Sequence, residues 1–333
     1  MTCAVVIVNW NGADDTLACL GSLFRGPGEG EDLLAIVIDN GSTDLSLDRM
    51  GRALSTWGLP WESATVAAAV QPPAAGTRVW LLAAGENLGF AAGCNAGLDA
   101  AEVARCRITC FLNNDTVVEA GALPALVRRL EADPLCFAVL PMITVHGSER
   151  IWNCGGEIWP VGLRRYHLAG RHRSEGTRRG EIRCSFFTGC CFVVRTAAFR
   201  ARGGFSERFF FGEEDFELGL WMRDQGLHAV CVTGAVVQHK VSASFEAASG
   251  PRAGARAFLY YLNRFIHMRL RFGRWRWRLW STAYLPYVAL LLWRSGTLPA
   301  AALPGFGRRL LARSATMDRV TRGDFEAVMA GRW

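Results

Sequence analysis

The sequence predicts an α/β protein: an open, mostly parallel sheet flanked by helices, followed by a helical, Arg-rich extension. Three observations lead there. Four short apolar runs each break into an Asn- or Asp-rich loop and then into a helical pattern, the alternation that builds βαβ units. Half of the 333 residues are apolar, enough for a sizeable core in one large domain with a smaller appendage. Finally, from Ala247 to Met317 there is no Asp or Glu but there are 12 Arg, whereas residues 1–246 balance at −5. This shift in charge predicts two parts, residues 1–245 and residues 246–333.

Taken in order, Ala4-Val5-Val6-Ile7-Val8 stops abruptly at Asn9-Trp10-Asn11-Gly12, as a buried parallel strand ends in its functional loop. A helix should follow, since Asp14 or Asp15 can cap it and Leu17, Leu20, Leu23 and Phe24 share one face. Leu34 to Ile38 ends at Asp39-Asn40-Gly41-Ser42-Thr43-Asp44. Val79 to Leu82 leads to Asn87-Leu88-Gly89-Phe90 and a helix of small residues, and Ile108 to Leu112 ends at Asn113-Asn114-Asp115. Ligands of such sheets bind beyond the carboxyl ends of the strands, where all four loops would gather. Past Pro141 the alternation weakens, and Arg164 to Arg183 predicts an exposed, Arg-rich loop or hairpin. A second structured block covers Phe186 to Ser244, with a break at Gly203-Gly204-Phe205 and an apolar helical face of Leu218, Trp221 and Met222. Ala253 to Arg278 predicts a basic, aromatic helix. The 15 uncharged residues from Leu279 to Trp293 fall short of the roughly 20 that span a bilayer, so they predict an interfacial or core segment.

Composition removes several classes of function. Lys240 is the sole lysine, which excludes a phosphate loop ending in Gly-Lys and most Schiff-base chemistry. The 11 cysteines show no metal-binding spacing and predict buried thiols in a reducing compartment. Met1-Thr2-Cys3 runs straight into an apolar stretch without a basic leader, so a cytoplasmic protein is expected. The net charge of +7 and the aromatic tail raise the idea of a nucleic-acid surface, but acidic loops at the strand ends would oppose a polyanion.

Three places carry candidate chemistry. Asp115, directly after a strand, would project at the sheet's carboxyl edge, where oxygen ligands suit a hard divalent cation such as Mg²⁺ or Mn²⁺; by itself Asn-Asn-Asp also makes an ordinary turn. Glu213-Glu214-Asp215-Phe216-Glu217 follows the aromatic run Phe209-Phe210-Phe211. Acids beside apolar rings gain proton affinity, which suits a general base, although the same cluster also fits a solvated helix start. His239 ends the run Val236-Val237-Gln238 and could complete a cation site or simply cap a strand.

Together these motifs resemble the family 2 glycosyltransferases, particularly their bacterial rhamnosyltransferase-like branch, over about residues 3–270. The family's opening strand is matched by Val5 to Asn11 and its nucleotide-contacting loop by Val37 to Asp44. Its glycine-rich donor segment is similar to Asn87-Leu88-Gly89-Phe90-Ala91-Ala92-Gly93-Cys94-Asn95-Ala96-Gly97. Leu112-Asn113-Asn114-Asp115 stands in the slot of the metal-binding DXD motif, with Asn113 replacing its first aspartate. Thr188 to Arg195 and Gly203 to Phe210 match the acceptor-side stretch leading to the family's Glu-Asp pair. Gly212-Glu213 precedes that pair and leaves its register open by one residue. His239, followed by Lys240 to Ser244, fits the late histidine.

The resemblance implies a GT-A-type, Rossmann-like fold and transfer of a sugar from a nucleotide-diphosphate donor, with rhamnose as the leading candidate, to a hydroxyl of a glycan or lipid-linked acceptor. It assigns the donor to Asn9, Asn11, Asp39, Asn40, Ser42, Asn87, Gly89, Phe90, Gly93, Asn95 and Asn114, and a divalent cation to Asp115 and His239. Asp215 becomes the base, with Glu214 beside it, in an inverting displacement. The basic, Trp- and Tyr-rich tail would hold the protein peripherally to anionic lipid on the inner face of the cell membrane. A sugar nucleotidyltransferase and a catalytically silent nucleotide-sugar-binding protein are the alternatives.

Overall fold

The computed structural model describes residues 3–24, 33–240 and 252–332. Its strands are β1 (Cys3–Asn9), β2 (Leu33–Asp39), β3 (Trp61–Thr65), β4 (Val79–Ala83), β5 (Ile108–Asn113), β6 (Thr116–Val118), β7 (Cys136–Val145), β8 (Ile151–Asn153), β9 (Gly156–Ile158), β10 (Arg164–Tyr166), β11 (Glu181–Cys184), β12 (Cys191–Arg195) and β13 (His228–His239). The helices are α1 (Ala13–Phe24), α2 (Ser46–Thr56), α3 (Phe90–Val103), α4 (Ala122–Ala132), α5 (Arg173–Thr177), α6 (Thr196–Ala201), α7 (Glu214–Asp224), α8 (Ala253–Arg294), α9 (Leu303–Thr316) and α10 (Arg322–Met329).

The main sheet has the order β11-β13-β7-β12-β5-β1-β2-β4-β3, with β6 on β13 and β8 on β7. It is mixed but mostly parallel: β1, β2, β3, β4 and β5 run together, β7 and β13 are parallel to each other, and β12 lies antiparallel between β5 and β7. Register brings the expected loops together. Asn9 pairs with Asp39 across β1 and β2, and Val8 pairs with Asn113 across β1 and β5, so three of the four loops leave the sheet side by side.

Alternate residues of β1 serve opposite faces, as a strand's period of two requires. Val6 joins Ile36, Leu98, Phe111 and Phe199 under α3 and α6. Val5 and Ile7 join Leu20, Leu54 and Leu126 under α1, α2 and α4. The small residues of α3 allow a close approach: a Cβ on Gly97 would lie 2.2 Å from Val6 Cγ1. All 11 cysteines are buried and free.

Three features of the structure add to the sequence reading. Pro141 lies inside the ten-residue β7, where a missing N–H should break a ladder. Opposite it the register of β13 jumps from Val232 to Val236, a bulge that removes the demand for that donor. Arg164 to Arg183, expected as an exposed loop or hairpin, opens on the β9–β10 hairpin and continues through α5 to β11 with Arg165, Arg171, Arg178, Arg179 and Arg183 exposed, but the Arg164 side chain is only 22 % exposed. The helical, Arg-rich extension is present and packs against α7. The expected boundary at 245/246 and the stretch Val241 to Ser244 fall outside the described residues, but beyond them Phe258, Leu262, Phe265 and Ile266 are fully buried in one cluster with Phe216 and Leu220 of α7.

The helix α8 breaks at Gly273, whose φ of 73° and ψ of 168° are not helical. Before the break it is largely core. After it, Trp275, Leu279, Tyr287 and Trp293 are exposed, together with Arg274, Arg276 and Arg278. No described helix is long and apolar enough to cross a membrane.

Candidate functional site at the carboxyl edge of the sheet

The loop after β1 is built from hydrogen bonds among the residues the sequence singled out. Asn9 is fully buried; its Nδ2 donates to Asp39 Oδ1 (2.8 Å) and Ser42 Oγ (3.1 Å), and its Oδ1 accepts from Thr16 Oγ1 (2.8 Å). Asn11, at φ 52°, accepts from Thr43 N (2.8 Å) while its own N–H donates to Ser42 Oγ (2.9 Å). Asp39 Oδ2 accepts from Ser42 N at 3.2 Å, which leaves lone pairs on both oxygens for a further donor.

The next loop is tied in the same way. Asn40 Nδ2 donates to Asn87 Oδ1 and to Gly89 O, both at 3.1 Å, and its Oδ1 accepts from Leu88 N at 3.0 Å. Gly89 has φ 89°, and a Cβ there would sit 2.3 Å from the Phe210 carbonyl oxygen, so only glycine fits. Phe90 opens α3 with its ring against Gly189, and Gly93 packs one turn on, against Val8 and near Asn40. Asn95 is placed differently. Its amide bridges to Phe205 O, Phe205 N and Glu207 Oε1, which fixes α3 to the 205–207 turn.

Beyond β5, Asn114 Nδ2 donates to Thr16 Oγ1 at 3.2 Å, joining this loop to α1. Asp115 then meets His239, with Oδ1 and Nε2 3.0 Å apart. The encounter follows from topology: β6 turns back and pairs Thr116 with His239, the last residue of β13. His239 is buried under the Trp152 ring, 4.8 Å between centroids, and its Nδ1 has no hydrogen-bond partner. Lys240 N donates to Asp115 O, and its Nζ reaches Asp15 of α1 at 2.5 Å. A carboxylate oxygen and the imidazole Nε2 that faces it are donor types that fit a divalent cation whose remaining ligands come from a substrate.

The acids of α7 divide by environment. Glu213, in the left-handed region at φ 79°, is sealed in the core against Arg264 (2.8 Å) and His267 (3.3 Å). Burial pushes its carboxyl up, but those two partners outweigh it and hold it below the ordinary value. Glu214 has an Oε2 that is buried without a partner; burial, then the Asp215 charge, push its carboxyl up to about 8. Asp215 is also raised, by burial first, against the opposing pull of Arg164, whose Nη1 is 3.9 Å away.

Asp115 and His239 therefore touch, whereas Asp215 contacts neither among the described residues. The segments that carry them are linked in steps by neighbouring residues: Asn113 N donates to Cys190 O (2.8 Å), Gly189 lies against Phe90, and Gly89 lies against Phe210. A separate group, Asp133, Cys136 and His228, has ligand atoms within 4.8 Å of one another. It sits at the other end of β7 and β13, and Arg129 already holds Asp133. Sequence reasoning missed Arg164, Arg264, Thr16 and Trp152, whose partners lie tens to more than a hundred residues away along the chain.

Comparison with known proteins bears on this arrangement. The family model described as glycosyltransferase like family 2 matches residues 2–252. The chain is 28% identical over 160 residues to the N-acetylglucosaminyl-diphospho-decaprenol L-rhamnosyltransferase of Mycobacterium tuberculosis, 48% of each chain. It is 41% identical over 66 residues to the O-antigen biosynthesis protein RfbC of Myxococcus xanthus, 20% of this chain and 5% of that one. These alignments span about half or less of the relatives' own lengths. Among solved structures, GalNAc-T7 with UDP, GalNAc and Mn²⁺ superposes with a TM-score of 0.60 at 15% identity, over 99% of this chain and 56% of that one. The mannosyltransferase PcManGT of Pyrobaculum calidifontis with GDP-Man and Mn²⁺ gives 0.53 at 15% identity, over 99% and 86%. The fold is GT-A. Since the matched segment contains the loops after β1, β2, β4 and β5, the Glu214-Asp215 pair and His239, the chain belongs to the glycosyltransferase like family 2.

Proposed function

We propose that this protein transfers a sugar from a nucleotide-diphosphate donor to a hydroxyl of a glycan or lipid-linked acceptor, with inversion at the anomeric carbon and Asp215 as base. The observation that supports the reading is the 3.0 Å meeting of Asp115 with His239 at the end of β13, alongside the raised carboxyls of Glu214 and Asp215. The loops of Asn9, Asn11, Asp39, Asn40, Ser42, Asn87, Gly89, Phe90, Gly93 and Asn114 form the donor side of the site, and Asn95 fixes its supporting helix.

Asp115 and His239 would hold a divalent cation, Mg²⁺ or Mn²⁺, whose chemistry is to neutralise the diphosphate as it departs. The chain's own residues do the rest. Asp215 accepts the acceptor's hydroxyl proton, the freed oxygen bonds to the anomeric carbon, and the bond to the diphosphate oxygen breaks with its electron pair leaving on the diphosphate. Glu214, whose carboxyl is pushed up to about 8, is mostly protonated at neutral pH and so adds little second negative charge beside Asp215. Rhamnose is the proposed sugar, on the strength of the mycobacterial relative.

We also infer that the part of α8 beyond Gly273 lies on an anionic membrane such as the inner face of the cell membrane. Exposed Trp275, Leu279 and Trp293 beside Arg274, Arg276 and Arg278 supply the ring-and-cation chemistry of an interfacial helix. Vesicles containing phosphatidylglycerol should sediment the protein and neutral phosphatidylcholine vesicles should not; equal behaviour would overturn this.

The decisive experiment pairs donor binding with turnover. Thermal shift against UDP-, GDP- and deoxythymidine-diphosphate sugars, with and without Mn²⁺, should find one stabilising donor. Asp215→Asn should keep that shift and lose transfer by about a hundredfold or more. Parental turnover by the variant would remove Asp215 from the role of base.

A further inference from the structure

Arg164 is an unusual cation. It stands on the short hairpin of β9 and β10, and its side chain is 22 % exposed. Three rings surround it: its Cζ lies 5.4 Å from the Tyr166 centroid, 5.2 Å from Phe186 and 5.7 Å from Tyr260. Among the described residues it donates no hydrogen bond, and its approach to Asp215, at 3.9 Å, is too long to be one. Rings hold a guanidinium through its faces, whereas its N–H donors point outward in the plane. Arg164 is thus oriented without using its fork, the geometry that binds phosphate or carboxylate through two parallel hydrogen bonds.

The surroundings say what kind of molecule would bring that anion. Leu163, next in the chain, and Val161 line an open apolar groove of about 690 Å³ with Trp280, Tyr284 and Tyr287, and Arg276 stands among them. Trp280 Nε1 fastens this wall to the hairpin by donating to Val161 O at 2.8 Å. The hairpin therefore carries Arg164, 3.9 Å from Asp215, next in the chain to Leu163 of the groove wall, so a cation beside the base and an apolar surface are offered by consecutive residues.

We propose that Arg164 is the anion anchor of the acceptor subsite, binding a phosphate that the acceptor carries between its reacting sugar and an apolar chain laid along the Val161–Tyr287 groove. This rests on the sugar-transfer reading above and adds to it the residue that recognises the acceptor. The phosphate is the acceptor's own, not that of a bilayer lipid, because Arg164 is mostly enclosed and sits beside the base, unlike the exposed Arg274, Arg276 and Arg278 beyond Gly273.

Farnesyl diphosphate is a suitable probe, with farnesol as its neutral counterpart. The parent should bind farnesyl diphosphate, by titration calorimetry, at least tenfold more tightly than farnesol. Arg164→Gln should weaken the diphosphate by about ten- to a hundredfold, the loss expected for charge-assisted hydrogen bonds, and leave farnesol unchanged. Arg164→Lys, which keeps the charge but not the fork, should fall between. Mn²⁺-dependent donor binding should be the same in all three: its absence from the parent would count against the sugar-transfer reading, whereas its loss in the Arg164 variants alone would place this residue at the donor and overturn the present proposal. Asp215 is also faced by Glu213 and Glu214 on its own segment, Tyr166 on β10, and Tyr260 and Arg264 on α8, so a counter-ion role for Arg164 is the competing account. Unchanged farnesyl diphosphate affinity in Arg164→Gln, with or without a shifted pH–rate profile, overturns the proposal. Loss of binding to phosphatidylglycerol vesicles in that variant would assign the residue to the bilayer instead and overturn it equally.

Discussion

Glu213, Glu214 and Asp215 are consecutive acids with three different fates, and neighbours decide each one. Glu213 has a guanidinium in the core, Asp215 has one at arm's length, and Glu214 has a buried oxygen with no partner. The consequence for Glu214 is measurable. Its folded-state carboxyl, near 8, lies above the ordinary value of about 4.3, so the folded protein keeps a proton that the unfolded chain releases. Its stabilising contribution is complete below the ordinary carboxylate range and is lost as pH rises to about 8. Glu214→Gln lacks this titration, so its melting temperature should gain on the parent's between pH 5 and 8 and then run parallel. Parallel curves across the whole range would show that this carboxyl ionises normally. Proximity of four acids to Phe209, Phe210 and Phe211 made raised proton affinity legible in the sequence. It did not reveal which acid would be neutralised, because Arg264 lies 51 residues from Glu213.

At the level of elements, the parallel part of the sheet was legible because strands covered on both faces read as unbroken apolar runs that end at loops. The edge strand β3 was not, since Trp61–Thr65 is only partly buried and carries little apolar signal. Strand β7 was concealed by Pro141, whose tolerance depends on a bulge in another strand. The union of α7 with α8 was equally hidden. Arg264 donates through Nε to Glu213, through Nη1 to Gly162 O at 3.2 Å, and stacks 3.2 Å from the Phe216 centroid, so one side chain fixes the residue before the Glu-Asp pair. Arg264→Met leaves Glu213 in the core with His267 as its remaining partner and should cost about 3–5 kcal/mol in chemical denaturation. Adding Glu213→Gln should recover much of that loss. If the two effects simply add, the pair is not coupled and the left-handed turn at Glu213 has some other support.

Across the whole molecule, the chain returns to its own site. After α9, Val320 exchanges backbone hydrogen bonds with the segment before α7: its N–H donates to Arg208 O (3.1 Å) and its O accepts from Phe210 N (2.9 Å). Phe325 of α10 then packs on Phe210 and Phe211, at 5.3 and 6.0 Å between centroids. Phe210 is also the residue whose carbonyl forbids a side chain at Gly89, so the returning segment from Val320 to Phe325 braces the junction of the loop after β4 with the turn before α7. The balanced charge of residues 318–333 had set them apart from the basic block before them, without indicating where they would go. Ending the chain after Met317 removes these contacts but leaves the clusters on both faces of the sheet intact, because none of their buried members lies beyond it. The shortened protein should therefore fold with a modestly lower melting temperature. Amide hydrogen exchange should rise at Phe210 but not in β1 or β5, and turnover should fall more than donor binding does, because the loosened segment carries Asp215. Unchanged exchange at Phe210 would mean that the 208–213 turn is held from within, by Asn263 donating to Phe211 O and by the Glu213 ion pair, and that the returning terminus only covers it.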